Sequence, residues 1–170
     1  LPLEGIATRI VNQTNEVGEL EVKGPNVCMG YWRQDKATKQ SLTVDGFFRT
    51  GDQVKKDGDG YITIVGRKTD LIISGGLNVY PVEVETVINN IEGVLESTVI
   101  GISDDDFGET VTAVVVREDG SQLNAEKIIA LTKQELASYK VPKAVFFVSK
   151  LPRNTMGKIQ KDIIKQQFIK

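Results

Sequence analysis

The sequence predicts an α+β fold in two parts, a β-rich stretch followed by a small α+β domain with a three-stranded sheet and covering helices. Three observations carry this reading. Through residue 66 the apolar residues fall in short β-branched runs broken by Asn, Asp and Gly clusters, the pattern of strands and tight turns. After Gly66 two segments take up helical spacing, with β-branched runs between and after them. The 170 residues, 40% hydrophobic and 26% charged, describe an ordinary globular chain, long enough for one small domain plus a fragment of another.

Taken in order, Ile6 to Val11 and Gly18 to Lys23 are β-prone and separated by the turn-forming Asn12-Gln13-Thr14-Asn15, which reads as a hairpin. Asp35 to Ser41 suits one helical segment with Asp35 as its cap. A further run, Thr43 to Phe48, leads to a loop ending at Asp52. Gln53 to Lys56 and Tyr61 to Val65 flank Asp57-Gly58-Asp59-Gly60, whose composition favours a tight reversal. These residues are too few, and carry too many apolar positions without a covering helix, to close a domain by themselves.

Beyond Gly66, Pro81 to Asn90 places Val82, Val84, Val87 and Ile88 near helical spacing, with Ile91 just after, and proline suits a first turn. Leu95 to Ile102 and Thr110 to Arg117 are β-branched strands. Asn124 to Leu136 is an amphipathic helix with Asn124 as cap, Ala144 to Val148 is the third strand, and Lys161 to Phe168 is the last helix.

Composition excludes several chemistries. Lys plus Arg number 21 against 23 Asp plus Glu, and the basic residues are scattered, so a nucleic-acid partner is not expected. One cysteine, Cys28, permits no internal disulfide, and the absence of histidine removes the commonest general base and transition-metal ligand. No metal site is expected within these residues. No apolar run approaches the about 20 residues that span a bilayer, so no transmembrane segment and a cytoplasmic location are expected. Leu1 stands first and leads directly into strand-like sequence, which reads as a natural start removed.

Four short segments carry candidate chemistry. Asp52, after Thr50-Gly51, is a carboxylate able to accept from both hydroxyls of a ribose; alone it reads first as the residue closing a turn. Arg67 offers a fork of donors for ribose or phosphate, and alone it reads as the ion-pair partner of Asp70 or Asp52. Ser74-Gly75-Gly76 either allows close approach of a slender arm or is a plain hairpin turn. Lys158, in Leu151-Pro152-Arg153-Asn154-Thr155-Met156-Gly157-Lys158, presents an ammonium from a loop read as mobile; judged by itself it is a solvated lysine among Lys161 and Lys165. The run Asp104-Asp105-Asp106 reads as a solvated turn rather than a metal site, since hard cations need oxygens converging from several directions.

Their order, with Gly30-Tyr31-Trp32, Asp45-Gly46-Phe47-Phe48-Arg49-Thr50-Gly51-Asp52, Gly66-Arg67, Gly75-Gly76-Leu77-Asn78-Val79-Tyr80-Pro81 and Tyr139-Lys140-Val141-Pro142-Lys143, closely resembles the acyl-CoA synthetases of the adenylate-forming superfamily. Asp106-Phe107-Gly108-Glu109 and the strand after it are most similar to malonyl-CoA synthetases. The resemblance implies that residues 1–68 are the β-barrel end of a large AMP-binding domain and residues 69–170 a mobile C-terminal lid. It implies that Asp52 and Arg67 bind ATP, that Lys158 binds ATP and catalyses adenylate formation, and that Ser74, Gly75 and Gly76 line a CoA channel. The hinge position is commonly Asp or Lys in this family and is Thr69 here. The implied substrates are ATP, CoA and a small carboxylic acid, malonate or a fatty acid. Magnesium, the phosphate loop and the acyl pocket are expected in a missing N-terminal domain, so this chain alone is expected to be inactive. A peptide-synthetase adenylation domain and a non-catalytic lid-like interaction module are the alternatives.

Overall fold

A computed structural model describes residues 1–168, so the last two residues of the expected lid, 169 and 170, lie outside the described residues. The chain folds as two compact units, Leu1–Thr69 and Asp70 onward.

The first unit is an antiparallel meander of β1 (Ala7–Thr14), β2 (Val17–Lys23), β3 (Phe48–Lys56) and β4 (Ile62–Arg67), with one helix, α1 (Asp35–Ser41). The first hairpin turns later than the residue pattern predicts. Thr14 pairs with Val17, so Asn15 and Glu16 are the two turn residues, both with positive φ, while Asn12 is absorbed by a register shift inside β1. Asparagine tolerates the left-handed region, so one cluster of Asn supplies both a bulge and a turn. Asp52 likewise lies within β3 rather than at a loop mouth. Charged groups bind the sheet together. The mostly buried Glu21 accepts from Arg9 Nε at 2.6 Å, and Arg9 also reaches Asp45 Oδ2 at 2.5 Å, holding that carboxyl well below the usual carboxylate range. The apolar core here is thin: among the described residues of this unit only Val17 and Val54 are buried hydrophobics, while Met29, Trp32 and Val44 are exposed.

The second unit is one sheet with helices on both faces. Its strands are β5 (Ile72–Ser74), β6 (Leu77–Val79), β7 (Val94–Asp104), β8 (Gly108–Arg117) and β9 (Ala144–Phe147), and its helices α2 (Pro81–Asn89), α3 (Ala125–Glu135) and α4 (Lys161–Phe168). The order is β6-β5-β8-β7, with β9 parallel to β8 and the other pairings antiparallel. A parallel neighbour requires a crossover, which α3 supplies between β8 and β9. The sheet therefore has five strands where three were expected. The additional two form a hairpin of three residues per strand, too short to show a period in the sequence.

Alternation along β8 sorts the core. Val111, Ala113 and Val115 meet Val84 and Ile88 of α2 and Ile128 of α3, while Val114 and Val116 meet Ile164 of α4 and Leu151 ahead of it. Being covered on both faces explains why 111–116 is an almost unbroken apolar run. Pro81 occupies the first turn of α2, and the Asn124 side chain caps α3 by accepting from Lys127 N at 2.9 Å. No helix among the described residues is long and apolar enough to cross a membrane.

Ile88 is fully buried at the centre of this core. Ile88→Ala is expected to lower unfolding stability by about 2–5 kcal/mol in denaturant titration. Val82→Ala, on the exposed side of the same helix, is expected to stay within about 0.5 kcal/mol.

Candidate functional site

In the first unit the structure brings Asp52 and Arg67 together. They are register partners across β3 and β4, and Arg67 Nε lies 2.9 Å from Asp52 Oδ1. A double irregularity builds this point. Glu19 and Glu21 of β2 face Gln53 and Arg49, so Thr50, Gly51 and Asp52 all stand opposite Leu20 alone. A second slip between Gln53 and Val54 follows on the β4 side. Gly51 takes φ +72, which an L side chain rarely adopts, and the Thr50 hydroxyl fills the widened ladder by donating to Leu20 O at 2.8 Å. Arg67 Nη1 donates to Thr50 O at 2.8 Å, so its guanidinium spans the bulge and orients the carboxylate. Asp52 Oδ2 accepts no hydrogen bond among the described residues, and the side chain is about one-fifth exposed. The pairing predicted for Arg67 and the open acceptor needed for a diol are therefore present at once. Arg49 is occupied differently: it donates to Gln40 O and Leu42 O and ties the end of α1 to the sheet.

Thr69 lies in the single 3-10 turn, Lys68–Asp70, that joins β4 to β5. The next strand leads to Ser74-Gly75-Gly76-Leu77, a two-residue hairpin turn in which Gly75 has φ +57 and Gly76 φ +77. The hairpin is fastened to the far end of the β7–β8 ribbon. Gly75 N donates to Phe107 O at 2.8 Å, Ser74 bridges Gly108, and Ile73 N donates to Glu109 Oε2 at 2.9 Å. A Cβ on Gly76 would meet nothing within 4 Å, so its surface is open. Burial raises the pKa of Tyr80, just beyond the hairpin, against a hydrogen bond from Asn78. Lys140 of the Tyr139–Lys143 segment grips both carboxylate oxygens of Glu83 on α2, at 2.6 and 2.8 Å. Burial disfavours its charged form, but the Glu83 contact prevails and the Lys140 pKa is raised.

Lys158 lies on a turn tied to β7 of that ribbon at Glu96 and Val99. Its loop is not loose, as the residue types suggested, but a tight turn built on Asn154. The Asn154 Oδ1 accepts from Met156 N at 2.9 Å and Lys158 N at 3.0 Å, and Asn154 N donates to Lys158 O at 2.9 Å. Gly157 takes φ +80, and Arg153 pairs with Ile159 to close the base. Arg153 donates to Gly157 O at 2.7 Å and pairs with Glu96 on β7. The Lys158 side chain is exposed, and among the described residues its ammonium has no hydrogen bond or ion pair. Lys161, expected to be a solvated neighbour, is mostly covered and bound to Glu85. Sequence reasoning misses this pair because both residues read as ordinary solvent-facing positions of helices.

Asp104 Oδ1 accepts from Asp106 N at 3.1 Å and Phe107 N at 3.0 Å, making a turn of the aspartate run. Among the described residues no three carboxylate or thiolate side chains converge as a metal site.

Residues 83–158 match the family model described as the AMP-binding enzyme C-terminal domain. The chain is 46% identical over 153 residues to a feruloyl-CoA synthase of Amycolatopsis sp, covering 90% of this chain and 31% of that protein. It is 37% identical to the malonate–CoA ligase of Arabidopsis thaliana over 98% of this chain and 30% of the relative. Among solved structures, ATP-bound MatB from Rhodopseudomonas palustris superposes with a TM-score of 0.90 at 46% identity, over 98% of this chain and 34% of that one. The chain thus spans about a third of the length of the relatives it matches. On these likenesses residues 83–158 carry the AMP-binding enzyme C-terminal domain, and the chain is similar to part of the acyl-CoA ligases and synthetases named above.

Proposed function

We propose that this chain is the C-terminal part of an ATP-dependent acyl-CoA synthetase, which converts a carboxylate and ATP to an acyl-adenylate and pyrophosphate and then CoA to acyl-CoA and AMP. The observation that carries the proposal is Lys158: an exposed ammonium with no partner among the described residues, held on a tightly hydrogen-bonded turn. A free cation on rigid backbone suits a step in which two anions must meet. It draws the substrate carboxylate and the α-phosphate together and stabilises the charge that builds on phosphorus during attack. Preorganisation by the Asn154 turn means that little rearrangement is needed at that moment.

In this reading Asp52 accepts from the ribose hydroxyls, with Arg67 orienting its carboxylate and facing ribose and phosphate. Residues 1–68 are the end of the large AMP-binding domain, and their thin apolar core and exposed Met29, Trp32 and Val44 fit a sheet that packs against more protein. Residues from 69 onward are the lid, with Thr69 as its hinge and the Ser74-Gly75-Gly76 turn as its CoA-facing edge. The two functional edges of the lid are anchored apart along β7, one at Glu96 and Val99 and one at the Asp104–Gly108 turn. Five to eight residues of strand at ~3.4 Å each separate these anchors by about 17–27 Å, so a single reaction centre meets one edge at a time. That separation supports a lid that alternates between adenylate and thioester formation. Magnesium would be held by residues outside this sequence. For the acid we propose malonate or a fatty acid, supported by the likeness to a malonate–CoA ligase; the feruloyl-CoA synthase relative adds an aromatic acid to the substrates to be tested.

Lys158→Ala in the full-length enzyme is expected to cut acid-dependent pyrophosphate release by about 100-fold or more, while thioester formation from supplied acyl-adenylate stays within about threefold. Equal loss in both half-reactions would remove Lys158 from the first step. Asp52→Ala is expected to raise the KM for ATP about tenfold with a smaller change for the acid, and an unchanged nucleotide dependence refutes ribose binding.

A further inference from the structure

Strand β7 is at the edge of its sheet, so part of its backbone has no strand neighbour. At Val99 two side chains take that place. Glu85 Oε1, from α2, accepts from Val99 N at 2.8 Å, and Lys161 Nζ, from α4, donates to Val99 O at 3.2 Å. The same Glu85 oxygen accepts from the fully buried Thr98 hydroxyl at 3.1 Å and from Lys161 Nζ at 2.7 Å. Both charged side chains are about four-fifths covered. The ion pair therefore behaves as a piece of strand, satisfying both backbone groups of one edge residue and joining two helices across it.

Lys161 is also the third residue after Lys158. Between them every residue is fastened: Ile159 bridges Arg153, and Gln160 N donates to Pro152 O at 2.9 Å. Ahead of the turn, Arg153 holds Glu96, three residues before Val99 on the same strand. The Lys158 turn is thus referenced at both ends to β7. The Arg153 end is more exposed and the Lys161 end more buried, so the second is the stiffer anchor.

We propose that Lys161, through Glu85 and the Val99 backbone, is a positioning residue for adenylate formation that fixes where the Lys158 ammonium is presented. This rests on the reading of Lys158 given above. Lys161 touches no reacting atom. Its loss leaves the Glu85 carboxylate without its countercharge and frees the first turn of α4, so the Lys158 turn shifts against β7.

The test uses the full-length enzyme with Lys161→Met, Lys161→Arg and Glu85→Gln, and Lys158→Ala as reference. Lys161→Met is expected to lower kcat for adenylate formation about 10- to 100-fold, with the KM for ATP and the thioester step from supplied acyl-adenylate within about threefold. Lys161→Arg keeps a cationic donor for Glu85 and Val99 and is expected to recover most of the rate. Glu85→Gln, which retains an acceptor for Val99 N, is expected to fold and to share the selective loss. In Lys161→Met, amide hydrogen exchange at Gly157 and Lys158 is expected to quicken while that of Val114 in the core does not change. Equal loss in both half-reactions with lowered thermal stability assigns the pair to the fold alone and overturns the proposal. So does unchanged exchange at Gly157 and Lys158, or a full rate in Glu85→Gln. If Lys158→Ala itself leaves adenylation intact, the reading of Lys158 fails, and exchange at those two amides still decides whether Lys161 positions the turn.

Discussion

The second unit depends on the β7–β8 ribbon, a long antiparallel pair whose ladder runs from Val94–Arg117 to Asp104–Gly108. Its length and its burial on both faces make it the rigid reference to which everything else is attached. Three helices cover it, β9 adds to one side, and the two segments with candidate chemistry are tied to it at separate points. A ladder of this length cannot slip by one residue without turning Val111, Ala113 and Val115 out of one core and into the other. Register is therefore determined by burial, and the placement of the Gly75–Gly76 hairpin and the Lys158 turn follows from it.

In the first unit the equivalent constraint is a defect in regularity. Two register shifts around Gly51 and Val54 crowd Thr50, Gly51 and Asp52 opposite a single residue of β2. A regular ladder would send Asp52 alternately in or out with its neighbours; the bulge instead sets its carboxylate beside Arg67, with Oδ1 engaged and Oδ2 accepting no hydrogen bond among the described residues. The ion pair and a capacity to bind a diol are thus compatible. With the arginine half-exposed, such a pair contributes little to stability, so its value lies in orientation.

The same contrast applies to the lysines. Lys140, Lys158 and Lys161 are chemically alike, yet the first is held by Glu83, the third by Glu85 and Val99 O, and the middle one is left with its charge exposed. Desolvation and pairing of the outer two give their segments a fixed place, and the Asn154 turn transmits that place to Lys158. In the function proposed above, the outer two cations are bound to the scaffold and Lys158 is left for the reaction.

By itself the sequence determined most of the local structure and the identity of the candidate residues. Helical spacing after Pro81, the Asn124 cap and the β-branched run at 111–116 read directly as α2, α3 and β8, because each is a property of neighbouring residues. The order of short motifs pointed to Asp52, Arg67, Gly75-Gly76 and Lys158 without any contact being known. Only the tertiary structure decided what those residues touch. That Asp52 is in a bulged strand, that a three-residue hairpin extends the sheet to five strands, and that Lys161 and Glu85 cap Val99 all depend on residues 14 to 76 positions apart or on register. Chain periodicity carries no information about such pairings, since a partly buried ion pair and a solvated one use the same residue types. What separates them is the edge of a strand with two unpaired backbone groups, and an edge exists only once the sheet has formed.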